Sequence, residues 1–153
     1  MINSKVQWLS PKVWQTAMVN GFLLNLFGWM GNAIVLNGEW RRAESALTPI
    51  STLNITGPLR EALSLAPDFI YGYLMVIVYQ HIGMAEGFGT KAKVKTILIS
   101  FLFGLFTTYL GMVVANLLPV RIAVLTTGWG LLTFFPAFMI SLRLTKFDQS
   151  MQT

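Results

Sequence analysis

The sequence predicts an all-α integral membrane protein: a four-helix bundle of transmembrane helices with a long outer connection, residues 37–66, between the first two helices. Hydrophobic residues make up 54% of the chain and charged residues only 11%, whereas a soluble domain carries about 25% charged residues. Four apolar runs contain no Asp, Glu, Lys or Arg, and the basic residues lie near their ends. In water such a chain would expose large apolar patches, which soluble monomers avoid.

The first helix is predicted over residues 11–36. Ser10 is a favoured N-cap residue and Pro11 suits the first helical turn, while Asn37-Gly38 favours a stop. The apolar run of this helix is longer than the apolar core of a secretory signal peptide. We therefore expect it to be retained as a membrane span.

The other three helices are predicted over residues 67–86, 93–118 and 120–144. The second has the shortest apolar run, at the lower limit of about 17 residues for crossing a bilayer. The fourth contains Pro136, which removes one backbone hydrogen bond and predicts a kink. Because a very short connection joins the third and fourth helices, we expect them to be antiparallel neighbours.

The outer connection carries charged residues and two internal prolines, so it is not expected to cross the bilayer. Two interpretations of it stay open. Two short amphipathic helices would lie at the level of the lipid headgroups, with Trp40, Arg41 and Arg42 as interfacial residues. Alternatively, the connection is an irregular loop packed on the helix ends.

The distribution of basic residues predicts the orientation. Of the eleven Lys and Arg residues, seven lie on the side shared by the two termini and four on the other side. Since cytoplasmic loops carry an excess of Lys and Arg, both termini are expected in the cytoplasm. The net charge of +5 is thereby attributed to membrane orientation, so the lipid bilayer and not nucleic acid is the expected partner.

Small and amide residues recur on one helical face at spacings of four and three residues. They are Gly21, Asn25, Gly28 and Asn32 in the first helix, Gly104, Thr108, Gly111 and Ala115 in the third, and Thr126, Gly130, Thr133 and Ala137 in the fourth; a weaker set in the second is Gly72, Val76, Tyr79 and Gly83. One interpretation is helix packing, since small residues and interhelical hydrogen bonds hold membrane helices together. The other is a polar path lined by Asn25 and Asn32.

Few residues offer catalytic or ligand chemistry. The chain has no cysteine and a single histidine, His81. This residue is either an axial ligand for haem or a similar pigment, or a neutral interfacial histidine bonded to a neighbouring helix. None of the six carboxylates lies at the middle of a predicted span, and coupled transporters usually need a buried ionisable group. Coupled transport is therefore disfavoured. Since so few residues offer catalytic or ligand chemistry, we also expect no cofactor, no metal and no catalytic residue.

Several local features resemble those of a known group of proteins. The first helix leads into Glu39-Trp40, the second ends in Val78-Tyr79 and then Gly83, the third ends in Leu117-Leu118-Pro119, and Gly128-Trp129-Gly130 opens the fourth. In these features the chain resembles small uncharacterised four-helix membrane proteins of bacteria, described only as domains of unknown function. The resemblance implies a bacterial inner membrane and carries over no active site.

Three functions fit the sequence. The first is a non-catalytic subunit or assembly partner that packs against itself or within a larger membrane complex. The second is a homo-oligomeric pore or facilitator for a small solute, with the face of Asn25 and Asn32 at its axis. The third is an interfacial lipid-modifying enzyme that uses the charged outer connection, with Glu39, Arg41, Arg42 and Glu44.

Overall fold

The computed structural model describes residues 9–46, 58–115 and 118–150, and this part of the chain is helical with no strand. The helices are α1 (Pro11–Met30), α2 (Asn37–Ala46), α3 (Pro58–Glu86), α4 (Thr90–Ser100), α5 (Thr107–Val114), α6 (Val120–Thr145) and α7 (Phe147–Ser150). Two π-helical turns, Gly31–Val35 and Phe101–Phe106, extend α1 and join α4 to α5. The predicted all-α class is confirmed for the described residues.

The start of α1 is fixed by the residues that the sequence singles out. Ser10 has an extended backbone, and its hydroxyl accepts a hydrogen bond from the Val13 N–H at 3.2 Å. Pro11 occupies the first turn, where its missing N–H leaves no partner unsatisfied. At the other end of this segment, α2 begins directly at Asn37. Part of the outer connection is therefore helical.

The helix α3 begins earlier than the sequence predicts. It runs from Pro58 to Glu86 without interruption, whereas the sequence pattern places the start at residue 67. A proline suits the first helical turn, which favours the start at Pro58, and inside the helix Pro67 removes a single backbone hydrogen bond. Residues 58–66 therefore belong to α3, and residues 47–57 lie outside the described part of the chain.

Within the described residues, three helical segments are long and apolar enough to cross a membrane: Pro11–Val35, Thr90–Val114 and Val120–Thr145. They have 25, 25 and 26 residues, and a span needs about 20. The described part of α3, which the sequence predicts as the second span, does not belong to this set.

The helix α1 packs antiparallel against α3 and also contacts α6 along its length. Trp14 near the start of α1 stacks on Tyr73 of α3, with ring centroids 5.1 Å apart. Asn25, farther along α1, contacts Asp68, which precedes Tyr73 in α3. The opposite order of these contacts defines the antiparallel arrangement.

The segment from α4 to α5 lies beside α3 and α6. Phe88, just before α4, packs against Tyr79 of α3 with ring centroids 5.6 Å apart. Farther along, the Thr108 and Tyr71 hydroxyls are 3.4 Å apart. This segment is therefore antiparallel to α3, and together with α1 and α6 it encloses the space in which the polar residues of α3 lie.

The best-packed part of the core lies where α1 begins and α3 ends. Tyr79, Phe138 and Phe147 are fully buried there, and the rings of Tyr79 and Phe138 meet edge to face at 5.5 Å. Elsewhere every long helix exposes large apolar side chains; Phe103 is 81% exposed and Leu132 70%. Exposed apolar surface of this extent marks a membrane or protein contact. With the three apolar segments, it favours association with a membrane.

Candidate functional site

A carboxylate and an amide meet inside the helical assembly. The Asn25 amide donates a hydrogen bond to the Asp68 carboxylate at 3.0 Å. Asn25 lies fourteen residues after Pro11 and ten before Val35; at about 1.5 Å per residue, it is about 21 Å from one end of this segment and about 15 Å from the other. Asp68 lies ten residues after the start of α3 at Pro58, so the pair is partly buried and away from the ends of both helices.

This pair borders a cavity of about 400 Å³ between α1, α3, α5 and α6. Small-molecule sites typically have volumes of about 300–1,000 Å³. The polar side chains that line it are Asn25, Asn32, Asp68, Tyr109, Thr126, Trp129 and Thr133. Its described lining contains one carboxylate and no Lys, Arg or His. Because its one ionisable group is an acid and no cation lines it, the cavity suits a polar or cationic molecule better than an anion.

The hydroxyl of Thr126 is available to a bound molecule. Thr126 is 6% exposed, and its hydroxyl has no hydrogen-bond partner within the described part of the chain. The nearby Thr133 hydroxyl, in contrast, donates to the Gly130 carbonyl at 3.0 Å. A buried hydroxyl without a partner costs about 1–3 kcal/mol. The fold therefore maintains at Thr126 a polar group that helix packing does not use.

The cavity opens on the side where α1 ends and α3 begins. Trp29, Asn32 and Leu65 line it and are exposed at the surface. The wall at Gly28 is also open, since a Cβ added there would meet nothing within 4 Å. Opposite these residues, the Trp129 indole N–H donates to the Phe27 carbonyl at 3.0 Å and holds α6 against α1.

The small-residue faces of the first and fourth helices meet at this cavity. Asn25, Gly28 and Asn32 line it from α1 and its π-helical turn, and Thr126, Gly130 and Thr133 line it from α6. Gly21 instead packs against α3, where an added Cβ would lie 2.7 Å from the Phe69 Cα. One face of α1 thus serves both interpretations, as a helix contact at Gly21 and as a polar wall from Asn25 onward.

The small-residue face predicted on the third helix is buried at its start and exposed at its end. Gly104 is buried against Tyr71, and the Thr108 hydroxyl is 3.4 Å from that of Tyr71. Gly111 and Ala115 are exposed, so they make no close helix contact within the described part of the chain. The π-helical turn Phe101–Phe106 interrupts the α-helical spacing on which the predicted face depends.

The interfacial residues proposed in the outer connection lie on α2. Arg41 is exposed, and the side chain of Trp40 lies outside the described residues. Glu39 accepts a hydrogen bond from Arg42 at 3.0 Å and from Arg121, at the start of α6, at 2.9 Å. The Glu39–Arg121 pair therefore links α2 to the start of α6.

The geometry at His81 gives no support to the interpretation as a macrocycle ligand. The ring lies on an exposed part of α3, and its Nδ1 is 2.9 Å from the Ile77 carbonyl of the same helix. Within the described residues, no group of three or more His, Cys, Asp or Glu side chains is placed to hold a metal ion.

No protein-family model matches this chain, and neither a search of curated proteins nor a search of solved structures finds a match. The resemblance to uncharacterised four-helix membrane proteins of bacteria therefore stays a prediction.

Sequence reasoning did not place Asp68, Tyr109 or Trp129 at a site. Tyr109 and Trp129 stand among many aromatic residues, and no local pattern separates them from the rest. For Asp68, one pattern in the sequence indicates that it lies within a helix and not at its start. The apolar residues Leu59, Ala62, Leu63 and Ala66 have helical spacing that continues into the apolar run after Asp68, which is the pattern of one long helix.

Proposed function

We propose that the protein is a multi-pass membrane protein that binds a small polar or cationic solute in the cavity at Asp68. Four helical segments cross the bilayer: α1 with its π-helical turn, α3, the segment from α4 to α5, and α6. The observation that carries the proposal is the Asn25–Asp68 pair inside a cavity with an unpartnered Thr126 hydroxyl. Ionisable groups are rare inside a membrane, and those present usually mark a solute path or site.

The packing of α3 supports its place as the fourth span. Its polar residue Gln80 is 1% exposed, and Asp68 faces Asn25 of α1. Its apolar residues Ile70 and Leu74 are 59% and 49% exposed. This distribution suits a helix that keeps polar groups inside a bundle and presents an apolar face to lipid.

The excess of basic residues supports an orientation with both termini in the cytoplasm. In this orientation the cavity opens toward the outer side, since it is bordered by the end of α1 and the start of α3. The inner membrane of a bacterium is proposed from the resemblance alone. The described part of a single chain favours a one-sided site over an open pore, because fully buried Tyr79, Phe138 and Phe147 fill the other end.

The proposal is tested with Asp68→Asn in protein purified in a neutral detergent. Trp29 and Trp129 line the cavity, so their fluorescence reports binding of methylamine, choline or glycerol. We expect a saturable signal from at least one cationic probe and its loss in Asp68→Asn. The matched control is Glu86→Gln, which removes an exposed carboxylate far from the cavity. Binding that stays unchanged in Asp68→Asn, or equally lost in Glu86→Gln, would refute the proposal.

A second candidate is the non-catalytic subunit that packs against a second copy of itself. The observation that favours it is the exposure of Gly111 and Ala115, four residues apart at the end of α5. Small residues at this spacing let membrane helices approach closely. Gly111→Leu should then shift the particle from dimer to monomer in detergent, measured by light scattering, while Gly128→Leu on α6 should leave its size unchanged.

A further inference from the structure

A second pocket, also of about 400 Å³, lies at the opposite end of the molecule from the cavity at Asp68. Lys93, Arg143, Lys146 and Asp148 line its polar side, and Met139 and Ile140 are part of its apolar side. We propose that this pocket binds the phosphate headgroup of an anionic phospholipid. The inference rests on the proposed membrane insertion but not on solute binding at Asp68.

The charges of the pocket favour an anion. Its three cations outnumber its single carboxylate, Asp148. That carboxylate is already engaged, since Lys93 pairs with it at 2.5 Å and the Tyr79 hydroxyl donates to it at 2.7 Å. Neither Arg143 nor Lys146 forms an ion pair with another residue in the described part of the chain. Two positive charges therefore remain to bind a phosphate.

The chain turn at the end of α6 holds these two cations beside each other. Lys146 has a left-handed backbone, with φ of 52°, and its N–H donates to the Arg143 carbonyl at 3.2 Å. The next residue, Phe147, is fully buried and packs 6.1 Å from the Tyr79 ring. The turn is therefore fixed to the core, which sets the backbone positions from which both cationic side chains extend.

The helix itself opposes an anion at this position, because the C-terminus of a helix carries about half a negative charge. Two full positive charges outweigh this effect. Arginine also binds a phosphate with two parallel hydrogen bonds, which favours phosphate over a monovalent anion such as chloride.

The apolar side of the pocket favours a lipid over a free phosphate. Ile140 is 38% exposed at the pocket, and Leu144, on the next turn of α6, is 67% exposed. An acyl chain would lie along these side chains while the phosphate contacts Arg143. This end of the molecule faces the cytoplasm in the proposed orientation, where basic pockets between membrane helices bind anionic headgroups.

Native mass spectrometry of detergent-purified protein tests the proposal with phosphatidylglycerol and phosphatidylcholine added separately. We expect one phosphatidylglycerol to stay bound and phosphatidylcholine not to do so. The affinity of the double variant Arg143→Gln with Lys146→Asn for phosphatidylglycerol should be at least about tenfold lower, since each basic residue near a membrane surface contributes to the attraction of anionic lipid. Asparagine tolerates the left-handed backbone at position 146.

The matched control is Lys12→Gln with Lys91→Gln, which removes two charges at the same end of the molecule but outside the pocket. An equal loss in both double variants, or none in either, would mean diffuse attraction and overturn the proposal. If the first double variant does not fold, Lys146→Asn alone replaces it, with the same outcomes.

Inorganic phosphate distinguishes the two sources of a phosphate group. We expect an excess of it to leave the bound lipid in place; displacement of the lipid, with phosphate retained, would overturn the assignment to a lipid. Membrane insertion is tested separately by washing membranes with alkaline carbonate. A chain released by this wash would refute the membrane proposal, whatever the lipid measurement shows.

Discussion

Gly21 of α1 and Gly72 of α3 lie backbone against backbone. A Cβ added to Gly72 would lie 2.6 Å from the Gly21 nitrogen and 2.7 Å from the Ala17 carbonyl oxygen. Backbone atoms cannot rotate away as a side chain can, so this contact leaves no room for any other residue. It brings the two helices close enough for Asn25, one turn farther along α1, to reach Asp68.

Gly72→Ala should therefore lower the free energy of unfolding by about 1–3 kcal/mol, the usual range for overpacking. The measurement is thermal unfolding in detergent, followed by circular dichroism. Gly28→Ala is the matched control, because a Cβ there meets nothing within 4 Å. Equal midpoints for the two variants would contradict the close contact between α1 and α3.

The local signals in the sequence account for some features of the fold and not for others. Ser10 and Pro11 mark the start of α1 because capping depends on neighbouring residues alone. Pro58 and Pro67 are both acceptable helix starts by the same local rule. The rule does not choose between them, whereas the helical spacing of the apolar residues from Leu59 to Ala66 favours Pro58. The position of Asp68 follows from this choice: it lies in the first turn of a helix that begins at Pro67 but ten residues into a helix that begins at Pro58.

The π-helical turns are also beyond local prediction. At Gly31, an added Cβ would lie 2.0 Å from the Trp129 indole nitrogen, so this turn packs closely against a residue far along the chain. The turn Phe101–Phe106 interrupts the α-helical spacing, and Gly111 and Ala115, which follow it, are exposed. Spacing alone therefore predicts the faces of α1 and α6 at the site but not the face of α5.

Gly28→Leu separates the two interpretations of the small-residue face on α1. As a helix contact, Gly28 would not accept a larger residue, and the variant would loosen the bundle. In the structure Gly28 borders the cavity and has open space. We expect an unchanged unfolding midpoint together with loss of methylamine or choline binding, measured by tryptophan fluorescence. A large drop in the unfolding midpoint would instead support the interpretation of Gly28 as a helix-packing residue.

Tyr79→Phe tests the network at the other end of the molecule. It removes the hydroxyl that donates to Asp148 at 2.7 Å while keeping the ring in the core. We expect the free energy of unfolding to fall by about 1.5–3 kcal/mol, the range for a hydrogen bond to a charged group. A double-mutant cycle with Asp148→Asn measures the coupling between the two residues by thermal unfolding. Strictly additive effects would show that the hydrogen bond contributes nothing.

Trp129→Phe tests the attachment of α6 to α1. Phenylalanine keeps most of the apolar contact but cannot donate the hydrogen bond to the Phe27 carbonyl at 3.0 Å. Interhelical hydrogen bonds in membranes contribute about 0.6 kcal/mol on average and up to about 1.7, so the loss of stability should fall in this range. Trp29→Phe, on the exposed surface, is the control. Equal effects of the two substitutions would show that the hydrogen bond of Trp129 does not stabilise the attachment of α6 to α1.

Thr126→Val should weaken solute binding without lowering the stability of the protein. The Thr126 hydroxyl is buried without a partner in the described structure, and an unpaired hydroxyl costs about 1–3 kcal/mol. Valine has nearly the same shape, so the unfolding midpoint without solute should stay the same or rise. Binding of the cationic probe should weaken, because the hydroxyl is one of the groups that face the cavity.

Thr133→Val is the matched control, because the Thr133 hydroxyl is already bonded to the Gly130 carbonyl. It should lower the midpoint slightly and leave probe binding unchanged. Groups that serve a site are commonly kept at the expense of stability. The opposite signs expected for the two threonines therefore distinguish a binding group from a structural one. A lower midpoint in Thr126→Val would mean that the hydroxyl is satisfied within the protein and is not reserved for a solute.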